Sequence, residues 1–303
     1  RQEVEPTFYI LDARGQIAAT VNMAAGKGTE DVSTYTCTEL EFCNIENIHV
    51  MRSSYNALGD MLCPPVLGST AQASSGGDSN FYIRLDDSGW TKHCRLLLIA
   101  AVKAAERLRL HRCSVLVHCS DGWDRTAQIC ALTQVMLDPF YRTIKGFAVL
   151  IEKEWCSFGY KFQDRCGHAE ASSHLPDERS PVFVQWLDAL YQLISQFPSA
   201  FQFTDVLLVF VADHVHSGLF GNFLGNCEKQ RVEGLKVRET TKSIWSYVMH
   251  NEAQFTNSAY AYYPKPLWPR LMLRDMQLWE RFYCRWDVNA HPHHVNGVEW
   301  HDD

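Results

Sequence analysis

An α/β fold whose C-terminal half is largely helical is predicted by three features of this chain. Short apolar runs of strand length lie at Phe8–Leu11, Leu40–Cys43 and Ser114–Val117. Longer stretches with helical apolar spacing alternate with them, and beyond residue 137 the readable patterns are helical. The chain has 303 residues, 46% hydrophobic and 12% aromatic, enough for one large domain or two modest ones.

Taken in order, Phe8–Leu11 reads as a strand that Asp12-Ala13-Arg14-Gly15 breaks. Leu40–Cys43 is the second strand, followed after Asn44–His49 by a helical pattern from Val50 to Leu62, which Pro64 and Pro65 stop. Residues 64–80, rich in Ser and Gly, are expected to form a flexible surface loop. A long helix is expected from Trp90 to Leu110, with Leu96, Ile99, Ala100, Val102 and Leu108 facing inward. Ser114–Val117 is the third strand, and a helix from Thr126 to Leu137 follows it. Asp138-Pro139 marks a turn, after which Phe140 to Phe158 reads as mostly helical. Further helices are expected at 181–197, opened by Ser180-Pro181, at 203–215, and near 240–249 and 271–281. No internal repeat is visible. His291, His293, His294 and His301 crowd the tail, but no acidic or cysteine ligand stands at a fixed helical spacing, so 288–303 is expected to be disordered and no metal is expected.

Composition excludes several functions. No run reaches the roughly 18 to 20 apolar residues of a membrane span, and residues 1–20 lack the basic-then-apolar signature of a signal peptide. The 11 cysteines are scattered and never form a Cys-x2-Cys pair, which points to a reducing cytosol rather than a disulfide framework or zinc ribbon. A net charge of −7 argues against a nucleic-acid partner and against unaided adsorption to an anionic membrane. Lys145, Lys153, Lys161 and Arg165 are the basic residues nearest the third strand–helix junction, and each by itself reads as solvated surface.

That junction carries the chemistry. His118, Cys119, Ser120, Asp121, Gly122, Trp123, Asp124, Arg125 and Thr126 form a tight loop between strand and helix N-terminus. Backbone N–H groups from Ser120 to Arg125 can converge there on an anion, and the helix dipole adds to their pull. Arg125 supplies a planar fork suited to phosphate oxygens. A free thiol titrates at about 8.5, and one at a helix N-terminus beside arginine can fall by several units, so Cys119 is expected to be a thiolate. A buried core cysteine is the bland alternative, but of the 11 cysteines only Cys119 has an arginine six positions later, within a loop of this composition.

This hardware suits two-step, metal-free phosphate-ester cleavage. Cys119 attacks phosphorus while Arg125 and the loop amides hold the non-bridging oxygens, giving a cysteinyl-phosphate. An acid must protonate an alkoxide leaving group. Asp124 is the first choice because a residue just before Arg125 can project toward the mouth of the loop, and Asp121 is the alternative. Either carboxylate could instead stiffen the loop. Thr126 can donate to the cysteine sulfur, and His118 can orient the loop by hydrogen bonding. Helix capping by Thr126 or Ser120 is compatible with those roles.

These residues, with others along the chain, resemble the catalytic region of the myotubularin-related phosphoinositide 3-phosphatases. The likeness runs through Phe8–Arg14, Asn47–Arg52, Val115–Thr126, Leu137–Phe147, Glu152–Trp155, Phe158–Phe162, Arg165–His168, Ser180–Phe183, Gln196–Phe201, Leu219–Leu224 and Tyr283–Trp286. It implies a cysteine-phosphatase fold, a central mixed sheet flanked by helices, spanning 1–303 as one domain that lacks the family's opening section. It further implies removal of the 3-phosphate from phosphatidylinositol 3-phosphate and phosphatidylinositol 3,5-bisphosphate, without a cofactor. The general acid would lie inside the loop. The diester phosphate would be held by Asn22, Asn47 and Ile48, and the 5-phosphate by Lys161 and Arg165, whose i, i+4 spacing can present two cations on one helical face. Expected partners are phosphoinositide lipids at the membrane surface, with homo- or hetero-oligomers among family members, and the expected place is cytoplasmic and peripheral on endosomal membranes. A catalytically silent lipid-binding adaptor, and a protein tyrosine or dual-specificity phosphatase, are the competing readings.

Overall fold

The computed structural model describes residues 7–23, 28–62, 80–168 and 176–285. The flexible loop expected at 64–80 falls, apart from Asn80, outside the described residues, as does the disordered tail expected at 288–303.

Three strands form the sheet: β1 (Phe8–Asp12), β2 (Thr38–Phe42) and β3 (Ser114–His118), in the order β2-β1-β3. Both pairings are parallel, with Phe8 opposite Thr38 and Ser114, and Asp12 opposite Phe42 and His118. The sheet expected to be mixed is therefore parallel throughout its described strands. Parallel neighbours need crossovers, and helices supply them. Between β1 and β2 runs α1 (Gln16–Met23). Between β2 and β3 run α2 (Ile48–Leu62), α3 (Phe81–Ser88) and α4 (Trp90–Arg109). As the middle strand, β1 is the most buried, from Tyr9 to Asp12. Because the strands run the same way, Asp12, Phe42 and His118 end at one rim, which is where the loop at 118–126 emerges.

The inward face of α4 differs from the expected one. Ala100 is buried as expected and Val102 packs partly against the core, but the other buried positions are Cys94, Leu97, Leu98, Ala101, Ala104 and Ala105, whereas Leu108 is 41% exposed. Small alanines let α5 (Arg125–Leu137) approach closely, and that contact outweighs the larger but less continuous stripe of Leu96, Ile99 and Leu108. The long helix expected from Phe140 to Phe158 is divided. A 3-10 turn spans Pro139–Arg142, α6 spans Ile144–Ile151 with Thr143 capping Gly146 N through its hydroxyl, and a π-helical turn continues over Glu152–Ser157.

Past α7 (Phe162–Cys166), α8 (Val182–Gln196) is buried almost all round and packs against α4, α5 and α9 (Asp205–Ser217). Its one carboxylate, Asp188, accepts from Trp90 Nε1 at 2.8 Å, Gln192 Nε2 at 2.8 Å and Tyr283 Oη at 2.9 Å. Burial pushes the Asp188 carboxyl up, and these donors pull it back. Short helices α10 (Val237–Thr240), α11 (Ile244–His250), α12 (Glu252–Phe255) and α13 (Glu280–Tyr283) complete the outer layer. The helix expected over 271–281 is mostly an extended strap with a single 3-10 turn at Leu273–Asp275. Side chains take backbone groups of this strap, Arg95 donating to Leu271 O and Gln192 bonding both Gln277 N and Gln277 O, and in the chain before it Arg142 donates to Tyr263 O and Lys265 O. None of the described helices is long and apolar enough to cross a membrane.

Candidate active site

The strand–loop–helix order places Cys119 one residue beyond β3 and Arg125 at the first position of α5. Cys119 is 9% exposed, and its Sγ accepts from Gly122 N and from Thr126 Oγ1, both at 3.3 Å. Gly122 makes the first contact possible. Its φ of +93° turns the amide back toward the sulfur in a conformation that side chains disfavour.

Arg125 is anchored rather than splayed. One terminal nitrogen donates to Ile45 O at 3.1 Å, the other to Ser120 Oγ at 3.2 Å. Two of its five N–H donors are thus used, one tying the loop to the β2–α2 junction and one closing on the loop itself, and together they fix the plane of the fork. His118 turns Nδ1 to Cys119 O at 3.2 Å, and its Nε2 lies 3.0 Å from Glu30 Oε2 without the alignment of a hydrogen bond. A carbonyl only accepts, so Nδ1 carries the proton.

Asp124 occupies the N-cap position of α5 but does not cap it. Arg165 takes the carboxylate side-on instead, with Nε to Oδ1 at 2.9 Å and Nη2 to Oδ2 at 2.8 Å, and Arg165 Nη1 reaches Glu178 Oε2 at 2.7 Å. Burial opposes the charge on Arg165, and Asp124 and Glu178 more than offset it, so the group is held above its ordinary value. Asp121 lies exposed on the loop.

The other expected contacts are arranged unevenly. Lys161 precedes α7 and lays Nζ 4.4 Å from the centre of the Trp123 ring, and 3.9 Å from Asp164 Oδ2. Arg165 also reaches the loop, but it is buried and engaged by two carboxylates rather than paired with Lys161 as a second outward cation. Asn47 caps α2, its Oδ1 accepting from His49 N at 3.0 Å and Val50 N at 3.1 Å. Ile48 O accepts from Ser180 Oγ at 2.8 Å. Asn22 sits in α1, and its side chain is outside the described residues.

One pair escapes a reading based on the loop alone. Asp12 and Arg14, both fully buried at the end of β1, form a bidentate bridge with distances of 2.7 to 3.1 Å. Hydrogen bonding to Asp12 raises the Arg14 guanidinium despite its burial, and Cys119 lies within its Coulombic reach. The Asp-x-Arg alternation at a strand end was the available signal. A cleft of about 350 Å³ beside the loop is lined by Asp121, Trp123, Thr126, Cys130, Glu154 and Phe158, the last 70% exposed.

The myotubularin-like phosphatase domain family matches residues 1–232. Phosphatidylinositol-3,5-bisphosphate 3-phosphatase MTMR8 of Gallus gallus is 43% identical over 289 residues, covering 95% of this chain and 44% of its own length. Phosphatidylinositol-3,5-bisphosphate 3-phosphatase MTMR6 of Homo sapiens is 42% identical over 288 residues, with coverage of 94% and 44%. Myotubularin of Xenopus tropicalis is 41% identical over 291 residues, with coverage of 96% and 46%. The chain spans less than half the length of these relatives. Its thiol-bearing loop at the head of a parallel sheet and its family match over residues 1–232 agree: the chain belongs to the myotubularin-like phosphatase family.

Proposed function

We propose that this chain is the catalytic portion of a phosphoinositide 3-phosphatase, acting on phosphatidylinositol 3-phosphate and phosphatidylinositol 3,5-bisphosphate at the cytoplasmic face of endosomal membranes. The observation that carries the chemistry is Cys119 Sγ held by Gly122 N and Thr126 Oγ1 beside Arg125. The substrate class rests on the names of the relatives, two of which are 3,5-bisphosphate 3-phosphatases.

In the first step the Cys119 thiolate attacks phosphorus in line, an S–P bond forms, and the bond to the inositol oxygen breaks. The departing alkoxide takes a proton from Asp124. Thr126 and Gly122 stabilise the sulfur before attack and again when it leaves. In the second step water attacks the cysteinyl-phosphate, Asp124 accepts its proton, and inorganic phosphate departs as the thiolate re-forms. Donating to the bridging oxygen requires Asp124 to exchange at least one of its Arg165 contacts for substrate. Lys161, already at the loop through Trp123, is the cation best set to meet a 5-phosphate.

One observation favours the adaptor reading: both carboxylate oxygens of Asp124 are held by Arg165, a closed arrangement that binds without turning over if it never opens. The deciding experiment measures phosphate release from 3-phosphorylated phosphoinositides, from 4- and 5-monophosphates, and from phosphotyrosine peptides. Release confined to the 3-phosphorylated lipids is expected. Faster release from the peptides would support a protein phosphatase, and lipid binding without release from any substrate would support the adaptor.

A further inference from the structure

Away from the loop, Cys166, His168 and His216 bring one sulfur and two imidazoles together at the junction of α7 and α9, with one ligand atom from each within 4.8 Å of the others. We propose that these three side chains form a zinc site. The donor set is the borderline-soft nitrogen and sulfur combination that zinc favours over magnesium or calcium, and a tetrahedral ion with three protein ligands leaves its fourth position to water.

The local geometry prepares the ligands. Gly167 stands between Cys166 and His168 with φ +74°, and the tight turn it makes brings both neighbours to α9; a Cβ there would run into the Arg179 guanidinium. His168 Nε2 lies 2.6 Å from Val215 O. Since a carbonyl only accepts, Nε2 carries the proton and Nδ1 bears the lone pair. That Nδ1 is sealed from solvent and has no hydrogen-bond partner among the described residues. A buried lone pair with its opposite N–H fixed to a backbone carbonyl is the arrangement found in histidines that ligate metals.

The charges around the cluster permit a dication. His216 is exposed overall, which gives the ion a path in. A thiol binds zinc as the thiolate, so Cys166 gives up its proton on binding. Binding exchanges that proton for the metal: a zinc–sulfur bond forms and the proton goes to solvent. Arg165 is the nearby positive charge, and Asp124 and Glu178 neutralise it. Zinc here would pin the end of α7, the short helix that carries Arg165 to Asp124.

The test uses the full chain in a Cys119→Ser background, which removes the loop thiol as a competing ligand. After chelator treatment, the protein is titrated with zinc and separately with cobalt. One equivalent of zinc is expected, with a rise in thermal midpoint, and cobalt is expected to give the visible bands of a tetrahedral site with sulfur-to-metal charge transfer. His216→Ala, on an exposed position, should weaken zinc binding at least tenfold and abolish the thermal shift. Cys166→Ser should lose the charge-transfer band. If the serine variant folds poorly, the alanine variant still decides. Zinc held with full affinity by His216→Ala would locate the ion elsewhere, on tail histidines or another thiol, and would overturn the assignment. So would failure of the parent to take up stoichiometric zinc.

Discussion

Within the loop, single groups carry separable duties. Gly122 is there for its backbone: replacing it with alanine forces a disfavoured φ, at a cost of about 1–2 kcal/mol, and swings its amide away from Cys119. Gly122→Ala is therefore expected to lose more than tenfold in phosphate release while retaining a native circular dichroism spectrum. Asp124→Asn keeps the size of the side chain but removes the proton and one of the two acceptors that face Arg165. Lipid turnover should fall by about 10²–10⁴, while an aryl phosphate, whose leaving group needs little help, should be much less affected. Equal losses on the two substrates would pass the acid role to Asp121. The loop was readable in the sequence because its chemistry is contiguous, from His118 to Thr126. What holds it was not, because Ile45, Asp12 and Arg165 come from other elements and only folding brings them near.

Elements are joined by a few buried arginines that sequence spacing does not reveal. Arg165, read from its i, i+4 relation to Lys161, looks like a surface cation, yet it sits 5% exposed between Asp124 and Glu178. Arg165→Met leaves the Asp124 carboxylate buried and unpaired, and is expected to cost about 3–5 kcal/mol in urea denaturation. Asp124→Asn in the same background should recover part of that loss, a coupling that a double-mutant cycle measures. Arg142 works differently. Burial, only partly opposed by the Asp138 carboxylate, brings it down to about 10, and it donates to Val135 O, Met136 O, Tyr263 O and Lys265 O, binding the end of α5 to the proline-rich chain after α12. The segment that follows, 271–281, is mostly not helical for a related reason. Pro264, Pro266 and Pro269 interrupt the chain before it, and Arg95 of α4 and Gln192 of α8 satisfy backbone groups at Leu271 and Gln277 that a helix would have satisfied itself. Arg142→Lys loses the planar fork and should destabilise the fold by roughly 3 kcal/mol, since hydrogen bonds to charged groups are worth about 1.5–3 kcal/mol each and a point charge cannot keep all four.

At the scale of the whole molecule, the readable part was the alternation of strands and helices; the unreadable part was how the helical layer is stitched together. Central α8, with Asp188 meeting Trp90 and Tyr283, links segments that are far apart in sequence. Its burial, and that of several histidines, sets a pH dependence. Burial lowers His93, His168 and His214 below their ordinary value of 6.5. As pH falls past 6.5 the unfolded chain takes up protons first, so stability is full above that value and declines below it, levelling once the folded rings also titrate. Asp188 has the opposite sign. Its raised value means the folded state binds its proton more readily, so acidification toward and below that value favours the fold. The net expectation is a urea midpoint, measured with chelator present, that falls between pH 7.5 and 5.5, and a midpoint that rises over this range would contradict it.

The central claim is that Cys119, held by Gly122 and Thr126 at the head of α5, is the nucleophile of a 3-phosphoinositide phosphatase. It is tested most directly by phosphate release from phosphatidylinositol 3-phosphate vesicles, comparing the chain with Cys119→Ser at matched binding. The serine variant is expected to bind the vesicles and lose at least about a thousandfold in release; release from it at the parent rate would contradict the claim.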